Sequence, residues 1–487
     1  MSGVSFQWVI LVQRVLCAIA VTLCASSVMA QSCPPSGWQE NLINYQNPDS
    51  QFPTDDTANL PTPDCNFHEW SWEAFVWATA LDADGVPRFM ALNTPAELSG
   101  KLATSKGPKL LRLAQRPLVA AGLTESAGAI VEADGNMLVA PNGYPVYASV
   151  HMNDSYFNTA KGNLISTGDY QKNPDSVYFD VGAAVFKATW LRLDDGQAPP
   201  DGAFTTLAEV PVLKVFRTNP ASVVPNGETT TVTVALVGLH VVGYTENHPE
   251  FLWGTFEHKD NTPQFKDGTF DPTSTASDSQ NYTFYHGGTP WNNINYNQGN
   301  QANPFLLAFD AKTQKFKTVT VPDNATGMTT PLTSPGTNAV LANQTGGENQ
   351  PGGPANIASI NAQGQEFLAN QKGAQSKFAN YFLGGTVWMP PNTYSVNSTN
   401  NDAVGSIRLA NSTAETFFQL PQGNSNCFLC HNAQSYSFQT PPPAKLTPRR
   451  IAISHVLSVG SDYEVPNLIH IRSPKGAGLV PGMTEEK

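Results

Sequence analysis

Apolar and polar positions alternate through the middle of the chain, a pattern that predicts β-strands. Residues 229–244 show this alternation in a stretch rich in valine and threonine, and residues 251–258 follow as the expected antiparallel hairpin partner. A further apolar stretch covers residues 177–190, and an Asn-Gly turn at 142–143 separates two short apolar runs. The pattern predicts a large, mainly antiparallel sheet, arranged as a sandwich or an open barrel.

Helical periodicity is weaker and is restricted to four stretches, at about 67–81, 108–121, 356–382 and 412–420. Helices and strands that are segregated along a chain, rather than alternating, are typical of the α+β class. We therefore expect an α+β protein in which residues 31–409 form a β-rich domain with a helical region at its amino end. Residues 410–487 form a smaller, mainly helical segment in this prediction.

The amino terminus has the composition of a secretory signal peptide. Residues 1–30 contain no acid and one base, Arg14, which precedes an apolar run of about eleven residues. That run is too short to span a bilayer, and the small residues before Gln31 predict cleavage after Ala30. Since no later stretch reaches about eighteen uninterrupted apolar residues, we expect a periplasmic or secreted protein without a stable membrane anchor.

Composition narrows the classes of function. The 487 residues are 40% hydrophobic and 14% charged, which is typical of a globular chain rather than a disordered one. The net charge of -12, with no strong basic cluster, argues against nucleic acid as a partner. The acidic balance favours a basic protein as partner, because complementary fields steer encounters.

The chain contains six cysteines, and two of them, Cys17 and Cys24, fall within the signal sequence. Cys33 and Cys65 flank a polar, proline-rich segment, and in an oxidising compartment we expect them to form a disulfide. By the chain-entropy estimate, closing this loop of about thirty residues stabilises the fold by roughly 3–4 kcal/mol.

The remaining cysteines, Cys427 and Cys430, are followed directly by His431, which completes the Cys-x-x-Cys-His sequence of a c-type haem site. Two thiols at this spacing can add to the two vinyl groups of one haem. The adjacent imidazole then binds the iron as its proximal ligand. We therefore expect one covalently attached haem c.

Three other chemistries use a Cys-x-x-Cys pair: a thioredoxin-like redox site, a structural disulfide and half of a zinc site. A redox pair normally opens a helix after a strand, whereas residues 421–426 have the composition of a loop. A zinc site needs a second pair of ligands, and the sequence offers no further cysteine pair at a suitable spacing. Export and the adjacent histidine favour haem over these alternatives.

The sixth ligand of the iron decides between an electron carrier and a catalyst. Three candidates, Met483, His455 and His470, lie after the motif, and methionine ligation would suit electron transfer. The upstream region supplies further candidates: His240, His258, His286 and Met389. An iron without a sixth protein ligand would instead bind peroxide or a diatomic gas, as in an enzyme or a sensor.

At the haem motif, residues 410–487 resemble the bacterial c-type cytochromes. Upstream, the sequences at 238–242, 253–261 and 409–416 are similar to a family of exported single-haem proteins to which no activity is assigned. The resemblance implies haem attachment and export, and it implies no substrate. The function we expect is a periplasmic c-type cytochrome that transfers one electron. The alternative is a peroxidase-like oxidoreductase or a ligand sensor, with an open iron site under the β-rich domain.

Overall fold

A computed structural model gives the fold of the protein. It describes residues 33, 38–55, 63–98, 111–112, 138–165, 174–216, 222–264, 278–289, 294, 307–318, 339–341, 353–416, 424–433, 447–454 and 469–470. The predicted signal sequence, Met483 and His455 lie outside these residues, as does most of the helix predicted at 108–121.

The described residues form eleven strands: β1 (Leu111–Arg112), β2 (Tyr147–Met152), β3 (Ala184–Arg192), β4 (Thr205–Phe216), β5 (Ser222–Thr245), β6 (His248–His258), β7 (Leu307–Asp310), β8 (Lys315–Thr318), β9 (Tyr381–Trp388), β10 (Val404–Gly405) and β11 (Ile469–His470). Strands β2 to β6, β9 and β10 make one open antiparallel sheet. β1 adds to it in parallel beside β4, and β11 pairs with the start of β5. β7 and β8 form a separate hairpin.

Strand β5 is the centre of this sheet, because it pairs with β3, β4 and β6 along its length. Its hairpin with β6, in which Val242 lies opposite Trp253, confirms the predicted pairing. The Asn-Gly turn is also confirmed, since Val139 and Pro145 bridge across it. Apart from the β7–β8 hairpin, the strands of the described chain form one open sheet, so the mixed α+β class is confirmed and a large second sheet facing it is not found in the described residues.

Five α-helices occur in the described residues: α1 (Trp38–Tyr45), α2 (Pro63–Thr79), α3 (Pro95–Leu98), α4 (Asp154–Ile165) and α5 (Gly353–Ala369). α2 confirms the helix predicted at 67–81. The stretch predicted as helix at 356–382 is α5 followed by a 3-10 helix, Gly373–Asn380, and the start of β9. The prediction of a helix at 108–121 is wrong at residues 111–112, which form β1.

Helices α2 and α5 cover one face of the sheet, which we call the helical face. Aromatic side chains fill this layer, and Phe75 of α2 stacks on Phe256 of β6 at 4.1 Å between ring centroids. The two helices approach closely at Gly364, where a Cβ atom would lie 2.5 Å from the Trp72 ring. Both faces of the sheet are therefore buried, because a second hydrophobic cluster occupies the opposite, outer face.

The predicted disulfide between Cys33 and Cys65 is present and ties the chain before α1 to the start of α2. It indicates an oxidising, extracytoplasmic compartment. None of the helices in the described ranges is long and apolar enough to cross a membrane.

The mainly helical segment expected at 410–487 is not seen. In the part of this segment that the structure describes, no α-helix occurs. Ser412 to Ala414 form a turn, and two short 3-10 helices cover Cys427–Leu429 and Arg450–Ile453. Asparagine, serine and threonine side chains bond the backbone of these stretches, which explains why the helical period at 412–420 was misleading.

Two carboxylates one turn apart on α2 are buried in the helical layer. Burial raises the pKa of Glu69 to about 8, and its repulsion with Glu73 adds to the effect. Burial also raises the pKa of Glu73 to about 8, although a hydrogen bond with Tyr45 opposes the shift. Both groups therefore bind their protons more tightly in the folded protein than in the unfolded chain.

We expect stability to fall as the pH rises from about 4.5 to about 8, because ionising these carboxyls costs more in the fold than in the unfolded chain. Glu69→Gln removes one of the two groups and should reduce this loss by on the order of 1–3 kcal/mol. Urea denaturation at pH 5 and pH 8.5 measures this pH-dependent loss in the free energy of unfolding. Glu366→Gln, on the exposed side of α5, is the control. An equal pH dependence in both variants would contradict the prediction.

Candidate functional site

The Cys-x-x-Cys-His motif lies on the outer face of the sheet, in a tight turn that we call the motif turn, residues 426–433. Phe428 at its centre is fully buried and packs edge-on against Trp253 of β6, with 6.2 Å between ring centroids. Trp253 and its strand neighbour Val242 belong to the same buried cluster as Phe428. The sheet therefore supplies an apolar floor for the turn.

Asn426 holds the amino end of the motif turn. Its side-chain oxygen accepts a hydrogen bond from the backbone N–H of Phe428 at 3.0 Å, which caps the 3-10 helix. Its amide nitrogen donates to the carbonyl oxygen of Ile407 at 3.0 Å. Next to it, the backbone N–H of Leu409 donates to the carbonyl of Ser425 at 2.8 Å. The turn is thus anchored to the chain that follows β10.

The turn brings the three motif residues together. The backbone N–H of His431 donates to the carbonyl of Cys427 at 2.8 Å, so the chain reverses within one helical turn. Cys427 and Cys430 are both half-buried. Two half-buried cysteines on a hydrogen-bonded turn suit attachment of a cofactor from outside.

The His431 imidazole is fixed by two contacts. Its Nδ1 lies 2.8 Å from the carbonyl oxygen of Ile453, so Nδ1 must carry the proton and donate. Its ring lies 4.4 Å from that of Trp253, tilted by 39°. The neutral tautomer then has its lone pair on Nε2, which is the state of a histidine that binds a metal.

The carbonyl of Ile453 is itself held in place by what we call the support turn, residues 449–454. Arg450 donates from Nε to the Asp175 carboxylate at 3.2 Å, and its own carbonyl accepts from the Tyr394 hydroxyl at 3.0 Å. The backbone N–H of Arg449 donates to the carbonyl of Ala433 at 2.8 Å, which joins the support turn to the motif turn.

A second irregular stretch, residues 411–416, docks on the centre of the outer face. Asn411 is fully buried, and its amide nitrogen donates to Thr255 Oγ1 at 2.9 Å and to the carbonyl of Phe256 at 3.1 Å. Its side-chain oxygen accepts from the backbone N–H and the hydroxyl of Thr413, at 2.9 and 2.8 Å. One asparagine therefore satisfies groups on both the strand and the loop.

Glu257 of β6 contributes to the same docking. Its carboxylate accepts from the backbone N–H of Ser412 at 2.7 Å and from the Ser412 hydroxyl. Burial raises the pKa of Glu257 to about 7, and the hydrogen bonds from Ser412 oppose that rise. The carboxyl is therefore a structural acceptor of this loop.

The structure places the other predicted iron ligands in different environments. His240 shares the outer face with Trp253, and its Nε2 lies 3.3 Å from the Glu415 carboxylate. His258 is on the helical face, with its ring 5.2 Å from that of Tyr381, so it is not brought together with His431. Both of its nitrogens bond the backbone, and burial lowers its pKa to about 4.

Of the remaining candidates, Met389 is buried in the same cluster as Phe428, and His286 is exposed in a turn. Met483 and His455 lie outside the described residues, and His470 ends strand β11, opposite Ser222 at the start of β5. Sequence reasoning missed the contributions of Trp253 and of the Ile453 carbonyl. Trp253 belongs to the segment 253–261 that resembles exported single-haem proteins, but its contact with His431 spans more than 170 residues of chain. The carbonyl of Ile453 belongs to the backbone, which carries no sequence signal.

The donor set fits a c-type haem. Two half-buried thiols three positions apart stand beside an imidazole whose Nδ1 is engaged by a backbone carbonyl. In the described parts of the chain, no group of three or more His, Cys, Asp and Glu side chains is arranged to bind a metal ion by itself. No protein-family model, curated protein or solved structure matches the chain.

We expect Asn411→Ala to destabilise the protein by about 2–4 kcal/mol, because it leaves buried polar groups on β6 and in the loop without hydrogen-bond partners. The free energy of unfolding from urea titration measures this. Asn401→Ala is the matched control, since Asn401 is exposed and its side-chain oxygen accepts only a long hydrogen bond of 3.4 Å from Asn424, near the motif turn. Similar stabilities for the two variants would contradict the docking role of Asn411.

Proposed function

We propose that the protein is an exported c-type cytochrome that carries one haem and transfers one electron. Cys427 and Cys430 hold the haem covalently, and His431 is its proximal ligand. When bound, the haem supplies a one-electron iron couple. The protein supplies the anchors, fixes the direction of the imidazole, and excludes water from that side of the site.

One observation carries this proposal: the hydrogen bond from His431 Nδ1 to the carbonyl of Ile453. It selects the tautomer that binds a metal through Nε2, and it holds the ring against Trp253. A histidine that followed a structural disulfide or a redox pair would not need this orientation. The arrangement therefore supports a metal-binding role of His431 over a structural disulfide or a redox pair, and the absence of a second cysteine pair in the sequence favours haem over zinc.

Export supports the same assignment. The signal sequence predicted at 1–30, with cleavage after Ala30, would direct the chain to the periplasm or beyond, and the Cys33–Cys65 disulfide agrees with an oxidising compartment. The similarity to exported single-haem proteins at 238–242, 253–261 and 409–416 points the same way. A net charge of -12 favours a basic redox partner.

Replacing both Cys427 and Cys430 with alanine should abolish covalent haem attachment, because no thioether can then form. The proteins are produced in cells that contain the haem-attachment machinery. Haem staining after denaturing electrophoresis then measures the covalently attached haem. Replacing Cys33 and Cys65 instead is the control, which should leave haem attachment in place. Haem that remains covalently bound to the Cys427→Ala, Cys430→Ala protein would disprove the assignment.

A second candidate function is a peroxidase-like oxidoreductase or a ligand sensor with an open iron site. The size of the described fold favours it, since an electron carrier needs only about a hundred residues. The sheet and its two buried faces form a much larger body, whose outer face carries the motif turn.

Optical and EPR spectra of the ferric holoprotein separate the two functions. We expect a low-spin signal with methionine or histidine ligation for the electron carrier. A high-spin signal that changes on adding cyanide would instead favour the enzyme or sensor, because the sixth position would then be open to a small ligand.

A further inference from the structure

Arg449 is a basic residue at the start of the support turn, joined by its backbone to the motif turn. Its side chain is half-buried, and its Nε is buried without a hydrogen-bond partner in the described structure. The next residue, Arg450, is fully engaged with Asp175 and packs over the Tyr178 ring at 5.2 Å. A buried guanidinium N–H without an acceptor is costly, and next to a cofactor site a ligand can supply that acceptor.

The position of Arg449 indicates which ligand that is. Its backbone N–H bonds the carbonyl of Ala433, two residues after His431, and it begins the support turn, in which Ile453 orients the imidazole. Arg449 is therefore attached to the immediate surroundings of the site through its backbone. A planar guanidinium fork matches a carboxylate, and a haem has two propionate carboxylates on the edge away from its vinyl groups.

We propose that Arg449 binds a propionate carboxylate of the haem. This inference rests on the proposed function, because it requires haem at Cys427 and Cys430. Arg449 would neutralise the negative charge of the propionate at the edge of the site. Its positive charge would also disfavour the ferric state relative to the ferrous state, which raises the reduction potential.

The test compares covalently loaded Arg449→Gln and Arg192→Gln proteins with the unsubstituted protein. Arg192 is the matched control: its Nε is also buried without a hydrogen-bond partner, but its guanidinium lies 4.0 Å from the Tyr144 ring. Arg192 lies opposite Val234 of β5, whereas Trp253, beside the motif turn, lies opposite Val242. These two positions on β5 are eight residues apart, or roughly 25 Å along the strand. We expect Arg449→Gln to lower the midpoint potential and Arg192→Gln to leave it unchanged.

Thermal unfolding provides a second readout that does not depend on activity. In the loaded protein Arg449→Gln should lower Tm, because the carboxylate loses its partner. In the Cys427→Ala, Cys430→Ala background the same change should not lower Tm, because the haem carboxylate is absent. An equal loss of Tm in both backgrounds would overturn the inference, since it would assign Arg449 to the fold or to another anion such as free phosphate.

The outcomes also separate this inference from the proposed function. If the unsubstituted protein carries no covalent haem, the proposed function and the role of Arg449 both fail. If the haem is attached and Arg449→Gln changes the potential no more than Arg192→Gln does, only the role of Arg449 fails.

Discussion

Irregular backbone is buried against the outer face of the sheet, and its N–H and C=O groups must be satisfied without a helix or strand to pair them. Asparagine side chains meet this constraint. Asn411 joins β6 to the backbone of Thr413, two residues further along its own loop. Asn426 joins the motif turn to the carbonyl of Ile407. Each amide can donate and accept at once, so a single residue bridges two segments. The position of the whole site depends on these bridges.

The same constraint gives the site its rigidity. Cys427 and His431 are linked through the backbone of the motif turn, while the imidazole is held from the other side by the carbonyl of Ile453. The support turn is in turn tied to Asp175 through Arg450. Three parts of the chain that are far apart in sequence thus determine the orientation of one ring. This is the kind of support that keeps a metal ligand in place before the metal binds.

Buried charge is distributed unevenly over the two faces of the sheet. On the helical face, Glu69 and Glu73 are raised in pKa chiefly by burial, and they repel each other. On the outer face, Glu257 is also buried but accepts two hydrogen bonds from Ser412, so its charge is partly compensated. The outer face therefore uses its polar groups to hold loops, whereas the helical face depends on aromatic packing.

The sequence by itself determined the α+β class, the β5–β6 hairpin, helix α2 and the disulfide, because each depends on a local period or on a pair of cysteines. It also identified Cys427, Cys430 and His431 as the candidate site. It misassigned residues 412–416, since their side chains bond the loop rather than continue a helix. Only the tertiary structure brought Trp253 and the carbonyl of Ile453 to His431. Such contacts depend on how distant segments pack, and a backbone carbonyl is the same in every residue.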